Sequence, residues 1–142
     1  MSLEDKLAIY EVIAQYSHTL DANDMEGFVK LFMETAVMEM FAPGATKPDP
    51  RLESRAAIRA WIVERRQGSP TGIQIRHYQS GILFDELTVD VARTRTMLLI
   101  TRQEPTDAAP QVTRSGVYHD QWRKTPEGWR FAQRTLRLDR RL

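Results

Sequence analysis

The strongest constraint on the fold lies after Gly72. There the chain gives up helical spacing and presents four strand-like segments in succession, at 73–85, 88–103, 111–124 and 128–138. Turn-forming residues separate them at Asp85-Glu86, Pro105-Thr106-Asp107 and Pro126-Glu127-Gly128. Four consecutive strands joined by turns predict an antiparallel meander. Such a sheet must bury one face, and the first half of the chain supplies helices to cover it.

From Leu3 to Asp21 the residues Leu3, Leu7, Tyr10, Ala14 and Ser17 recur at three- and four-residue steps, which predicts an amphipathic helix with that stripe turned inward. Asn23-Asp24-Met25-Glu26 reads as a capping box that opens a short second helix through Phe28, Leu31 and Phe32. Thr35 to Phe41 alternates as a first strand, and the Pro/Gly-rich stretch from Pro43 to Pro50 reads as a mobile loop beside a pocket mouth. Ser54 is placed to cap a third helix through Ile58, Trp61, Ile62 and Arg65 that ends before Ser69-Pro70. Helices followed by strands make an α+β fold, with residues 1–142 expected as one domain.

Charge and composition exclude several function classes. Twenty basic against nineteen acidic side chains leave a net charge of +1, which cannot build the broad positive field of a nucleic-acid binder. The basic run Arg134, Arg137, Arg140 and Arg141 reads as a solvated strand edge and tail, with Arg134 set aside as a pocket candidate. The absence of cysteine removes disulfides, thiol nucleophiles and thiolate metal sites. Three histidines without HxH or HExxH spacing argue against a metal site, and no Gly-rich phosphate loop, dinucleotide fingerprint or GxSxG elbow is present. No cofactor is expected. With no secretory signal pattern and no long apolar run, no membrane partner is expected, and the predicted location is the cytoplasm.

Asp21 closes the first helix in phase with Ser17, Ala14 and Tyr10, which points a carboxylate at the core. A buried carboxylate needs a polar partner, and His77 is placed to be one, because it alternates in phase with Ile73 and Ile75 on the apolar face of its strand. Two roles stay open for the pair. One is a dyad in which the carboxylate fixes the imidazole tautomer and frees the other ring nitrogen as a base. The other is a local helix-end aspartate and a satisfied core histidine. Tyr16, on the flank of the same helix, offers a hydroxyl to a leaving group or oxyanion, or simply packs. His18 and His119 read as surface or edge residues. Tyr10, Met40, Trp61 and Tyr118 are candidate contacts to a small hydrophobic ligand, beside Met38, Trp122 and Trp129, which read mainly as core.

The segments QYSHTLDANDMEGFVKLF, IRHYQSGILF and SGVYHDQWRKTPEGWRFAQR resemble the SnoaL-like branch of the nuclear transport factor 2-like superfamily, across nearly the whole chain. The resemblance implies a six-stranded, strongly curved sheet wrapped around three helices, a deep cone-shaped pocket, and assembly into homodimers or homotrimers. Its dehydratases and dehydrochlorinase pair an aspartate at the end of the first helix with a strand histidine, matching Asp21 and His77. A tyrosine at the position of Tyr16 and an arginine on the last strand, with Arg134 or Arg137 as the nearest equivalent, complete the implied catalytic set. The implied activity is a cofactor-independent lyase or isomerase acting on a small cyclic molecule in a closed apolar pocket. The same shell also serves polyketide cyclases, ligand-binding modules and the non-catalytic small subunits of ring-hydroxylating dioxygenases, so the fold leaves the activity open.

Overall fold

A computed structural model describes residues 2–140; Arg141 of the basic run lies outside the described residues. Helix α1 spans Leu3–Asp21 and is capped by Ser2, whose Oγ accepts from the Asp5 amide at 3.0 Å. Its buried stripe is Ile9, Val12, Ile13, Tyr16 and Leu20. This corrects the face expected from Leu3, Leu7 and Tyr10, which are 73%, 59% and 49% exposed, with Ala14 also exposed. Both stripes obey the same three- and four-residue spacing, and α1 carries apolar residues nearly all round. The choice falls to the face whose large side chains fit between the sheet and α2, where Tyr16 packs on Phe28 with ring centroids 5.0 Å apart.

The second helix, α2, spans only Met25–Val29. Its cap is Asp24 rather than Asn23: Asp24 Oδ1 accepts from the Gly27 amide at 2.9 Å, while Asn23 takes the left-handed conformation (φ 58°) that turns the corner. Strand β1 then begins at Phe32, earlier than Thr35, and runs to Phe41. The loop after it folds back onto its own strand. The Asp49 amide donates to the Met40 carbonyl at 2.8 Å and the Met40 amide to the Pro50 carbonyl at 3.1 Å, which sets up a two-residue strand, β2 (Arg51–Leu52), antiparallel to β1. Helix α3 spans Arg55–Gln67, with Ser54 Oγ accepting from the Ala57 amide at 3.0 Å.

The long strands are β3 (Gln74–Leu87), β4 (Val91–Gln103), β5 (Gln111–Thr125) and β6 (Gly128–Leu138). They form the expected meander, and β1 adds to β6 in parallel, giving a six-stranded mixed sheet in the order β2-β1-β6-β5-β4-β3. Asp85 and Glu86 do not turn the chain. They lie in β3 and pair across the ladder with Arg95 at 2.7 Å and Arg93 at 2.8 Å, so the turn waits until Thr88–Asp90. Register shifts interrupt the β3/β4 ladder between Ser80 and Leu83 and the β5/β6 ladder between Gln121 and Trp122, and bulges of this kind curl a sheet. Gly81 (φ 63°) sits in the first of them, where a Cβ would come within 2.1 Å of Met97 Cε.

The core between helices and sheet is aromatic. Tyr16, Phe28, Phe32 and Phe131 form a connected cluster of rings, which Trp122 joins through Phe131 at 4.0 Å. Trp129 is core as well, its indole N–H donating to Asp5 Oδ1 at 2.8 Å. This packing leaves one end of the curved sheet hollow, beside the C-terminal half of α1.

Candidate active site

The hollow end is a cavity of about 620 Å³, inside the range of small-molecule sites. Its walls come from the C-terminal half of α1 (Tyr16, Leu20), from β1 (Met38, Met40), from α3 (Trp61, Ile62) and from the inward residues of β3 to β6 (Ile75, His77, Ile100, Tyr118, Arg134, Leu136). The expected closed apolar pocket opens at a polar mouth, where the exposed residues Arg65, Ser69, Thr113 and Arg114 and the half-buried Arg66 and Arg102 also line it. No residue of the 43–50 loop lines the cavity.

Asp21 and His77 meet. Asp21 Oδ1 lies 2.5 Å from His77 Nδ1, and Asp21 Oδ2 accepts from the His77 backbone amide at 2.9 Å. One carboxylate therefore holds both the ring and the strand, and both side chains are shielded, 3% and 13% exposed. A carboxylate has no proton to give, so Nδ1 is the donor, and in the neutral imidazole Nε2 carries the free lone pair. Nε2 has no protein partner among the described residues, and the imidazole belongs to the cavity wall. Asp21 follows Leu20 by one residue and so sits at the edge of the buried stripe. It turns inward because β3 passes there, not because it belongs to the stripe of Tyr10.

Beneath the dyad lies a second cluster that sequence reasoning only half saw. Arg134 is fully buried, with its guanidinium carbon 3.4 Å from the Tyr118 ring centroid, 4.1 Å from Tyr16 and 4.6 Å from Phe131. Its Nε lies 3.1 Å from Asp120 Oδ1 and its Nη2 donates to Asp120 Oδ2 at 3.3 Å and to Gln79 Oε1. The Nε contact is a charge contact without hydrogen-bond alignment, and Nη1 has no protein partner at all. Gln79 ties this cluster to α1, donating to Ser17 Oγ at 2.8 Å and to the Ile13 carbonyl at 3.2 Å. Burial pushes the Asp120 carboxyl up to about 6, outweighing the opposing pull of Arg134. Asp120 was legible: it alternates in phase with Tyr118 and Trp122 on β5, and Gln79 does so with His77 on β3. Arg137, the other candidate arginine, faces the opposite side of the sheet and stacks on Phe41 at 4.1 Å.

Tyr16 and Tyr118 are both buried, and their hydroxyls are 3.5 Å apart, a long contact. Burial raises both phenols, Tyr118 further, against the influence of Arg134. They are therefore proton donors across the physiological range. Of the expected ligand contacts, Met40, Trp61 and Tyr118 line the cavity. Tyr10 does not: it is half-exposed on the outer side of α1, its ring 6.2 Å from Phe84. His18 and His119 are exposed, the latter on the outer face of β5. Among the described residues no cluster of three or more His, Cys, Asp or Glu is arranged to hold a metal ion, and no helix is long and apolar enough to cross a membrane.

Comparison with solved structures places this architecture among known ones. A Mycobacterium tuberculosis protein of unknown function is 28% identical with a TM-score of 0.77, over 96% of this chain and 72% of its own. A candidate scytalone dehydratase from Novosphingobium aromaticivorans is 24% identical (TM-score 0.78; 97% and 86% covered). The beta subunit of a candidate aromatic-ring-hydroxylating dioxygenase from the same organism is 18% identical (TM-score 0.80; 95% and 89%). At these identities the last two likenesses establish the fold alone. No curated protein matches the chain in sequence. The sequence profile of the SnoaL-like domain matches residues 1–135, and with the six-stranded curved sheet closed over three helices, the chain belongs to the SnoaL-like family.

Proposed function

We propose that the chain is a cofactor-independent lyase or isomerase acting on a small cyclic molecule inside the cavity, with His77 as general base. The observation that carries this reading is the Asp21–His77 contact at 2.5 Å in the wall of a cavity of about 620 Å³, with Nε2 left to a ligand. Nε2 takes a proton from a substrate carbon, and Asp21 stabilises the imidazolium that results. The electron pair of the broken C–H bond becomes the new carbon–carbon π bond, and the C–O or C–halogen bond on the neighbouring carbon breaks. A departing hydroxide takes a proton from the Tyr16 or Tyr118 hydroxyl and leaves as water; a departing halide leaves as an anion beside Arg134. His77 then returns its proton to solvent, and in the dehydration the tyrosine takes one back from solvent; in an isomerisation His77 gives its proton to another carbon of the same substrate.

An open cavity of this size supports an enzyme or binder over a subunit whose interior is filled by its own side chains. The test is incubation with hydroxylated and chlorinated cyclic compounds in D2O, reading loss of the abstracted C–H signal and appearance of alkene by NMR. The reading requires exchange or elimination in the native chain that disappears in His77→Ala. Exchange that persists in His77→Ala removes His77 as base, and a folded chain inert to the whole panel leaves the ligand-binding module as the better reading.

A further inference from the structure

The mouth of the cavity is cationic although the chain as a whole is not. Arg65, Arg66 and Ser69 approach from the end of α3, and Arg102, Thr113 and Arg114 face them from β4 and β5. Four guanidiniums ring one opening in a protein whose charges sum to only +1 overall. Their partners are unequal. Arg66 is occupied as a cap, donating to the Leu20 carbonyl at the end of α1 and to Asn23 Oδ1 at 3.4 Å. Arg102 pairs with Glu104 at 3.1 Å. Arg65 lies 4.6 Å over the Trp61 ring, which orients its guanidinium without neutralising it. Among the described residues no carboxylate lies within ion-pair distance of Arg65, Arg66 or Arg114. The one acid lining the cavity, Glu39, is already satisfied by Arg51 at 2.5 Å, Thr135 at 2.8 Å and Gln133 at 3.2 Å.

Like charges gathered around an opening repel one another, and a low-dielectric cavity behind them focuses their field on whatever enters. Deeper in, the lining turns to Leu20, Met38, Ile62, Ile75, Ile100 and Leu136. We propose that the ligand is an amphipathic organic anion, whose apolar ring body fills the cavity against His77 while a carboxylate-, sulfonate- or phosphate-type group stays at the mouth on Arg65 and Arg114. This deepens the proposed function, and rests on that reading only for the statement that the bound body is the reacting one. An anion held at the rim gives the ring a fixed direction of entry and presents the same edge to Nε2 in every encounter.

The test uses two fluorescent probes with one ring system, 8-anilinonaphthalene-1-sulfonate and its neutral counterpart N-phenyl-1-naphthylamine, titrated into the native chain. Displacement of the His77 ring-proton resonance locates the binding in the cavity. The sulfonate is expected to bind about tenfold more tightly than the neutral amine, as two partly exposed charge contacts allow. In R65Q/R114Q that gap should shrink to about twofold while the neutral amine is unaffected, and raised salt should shrink it likewise. Equal affinities in the native chain, a gap that survives in R65Q/R114Q, or failure of the sulfonate to move the His77 signal each overturns the inference. The outcomes separate from those of catalysis. A charge gap retained alongside isotope exchange that His77→Ala leaves intact keeps the anion site and discards the base. Exchange lost in His77→Ala with no charge gap does the reverse.

Discussion

The Asp21–His77 pair and the Asp120–Arg134 pair are built alike and differ in how completely each is satisfied. In both, the nitrogen partner lines the cavity and the carboxylate lies behind it, at 2.5 Å and 3.1 Å. Asp21 has each oxygen on an aligned N–H, and its histidine keeps some exposure toward the ligand space. Asp120 and Arg134 are both fully buried, one oxygen and two guanidinium nitrogens lack aligned partners, and the Asp120 carboxyl is pushed up to about 6. The upper pair is therefore satisfied at small cost to the fold. The lower pair carries a desolvation cost that its own contacts do not fully offset. A buried pair in that condition adds little stability; what it supplies is a guanidinium fixed in the cavity wall, clamped by Tyr16, Tyr118 and Gln79.

The comparison breaks first at the dyad. In the proposed reaction Asp21→Asn and His77→Ala should each lower turnover about 10²- to 10⁴-fold, the usual worth of a positioned base. Asparagine still offers an oxygen to the His77 amide, so the Asp21→Asn chain should stay folded, with its melting temperature close to the native value. Turnover within about threefold of native in both variants would reduce the pair to a structural contact, set against that usual worth.

The lower pair should show the opposite signature. Arg134→Met leaves Asp120 buried without its cation and should cost about 3–5 kcal/mol in denaturant unfolding. Arg134→Met combined with Asp120→Leu should recover most of that loss, because no charge is then left buried. If the double variant is as unstable as the single one, the pair contributes net stability and the contrast with the dyad is wrong.

A smaller effect sharpens the same point through pH. A carboxyl held above its unfolded value of 3.8, here at about 6, contributes its stabilisation in full below the lower value and loses it as pH rises through the upper one. The native chain should therefore lose up to about 3 kcal/mol between pH 4 and pH 7 on this account, at about 1.4 kcal/mol per unit of displacement. Asp120→Asn should lack that decline. The other carboxylates titrate in both proteins, so the difference between the two stability curves isolates Asp120.

How much of this was legible in the sequence follows from how local each signal is. The last three strands, the Ser54 cap and the third helix rest on turn residues and caps that act within a few positions, and they appear where the spacing put them. The inward phase of His77 follows from strand alternation, which a neighbouring helix cannot alter. The face of α1 was not legible, because two stripes satisfied one spacing rule and only the packing of Tyr16 and Ile13 against other elements chose between them. Asp85 and Glu86 looked like a turn because their partners, Arg95 and Arg93, lie on the next strand. The arginine rim shares that difficulty: Arg65 and Arg114 are 49 residues apart in sequence and meet only when the sheet curls under α3.

Tyr16 joins the two pairs. Its ring stands edge-on to the His77 ring at 6.5 Å and face-on to the Arg134 guanidinium at 4.1 Å, and its hydroxyl is 3.5 Å from that of Tyr118. A hydroxyl bond this long contributes little to folding, so Tyr16→Phe and Tyr118→Phe should each change stability by less than about 1 kcal/mol. Their kinetic effects should differ. If the tyrosine whose ring contacts His77 supplies the proton to the leaving group, Tyr16→Phe should lower turnover of a hydroxylated substrate about tenfold, at the low end for a positioned acid, and Tyr118→Phe should lower it less. A chlorinated substrate, whose leaving group needs no proton, should be spared by both. Equal losses on the two substrates would mean that the hydroxyl acts elsewhere than on the leaving group, whereas no loss on either would mean that Tyr16 serves through its ring, packing the space between dyad and guanidinium.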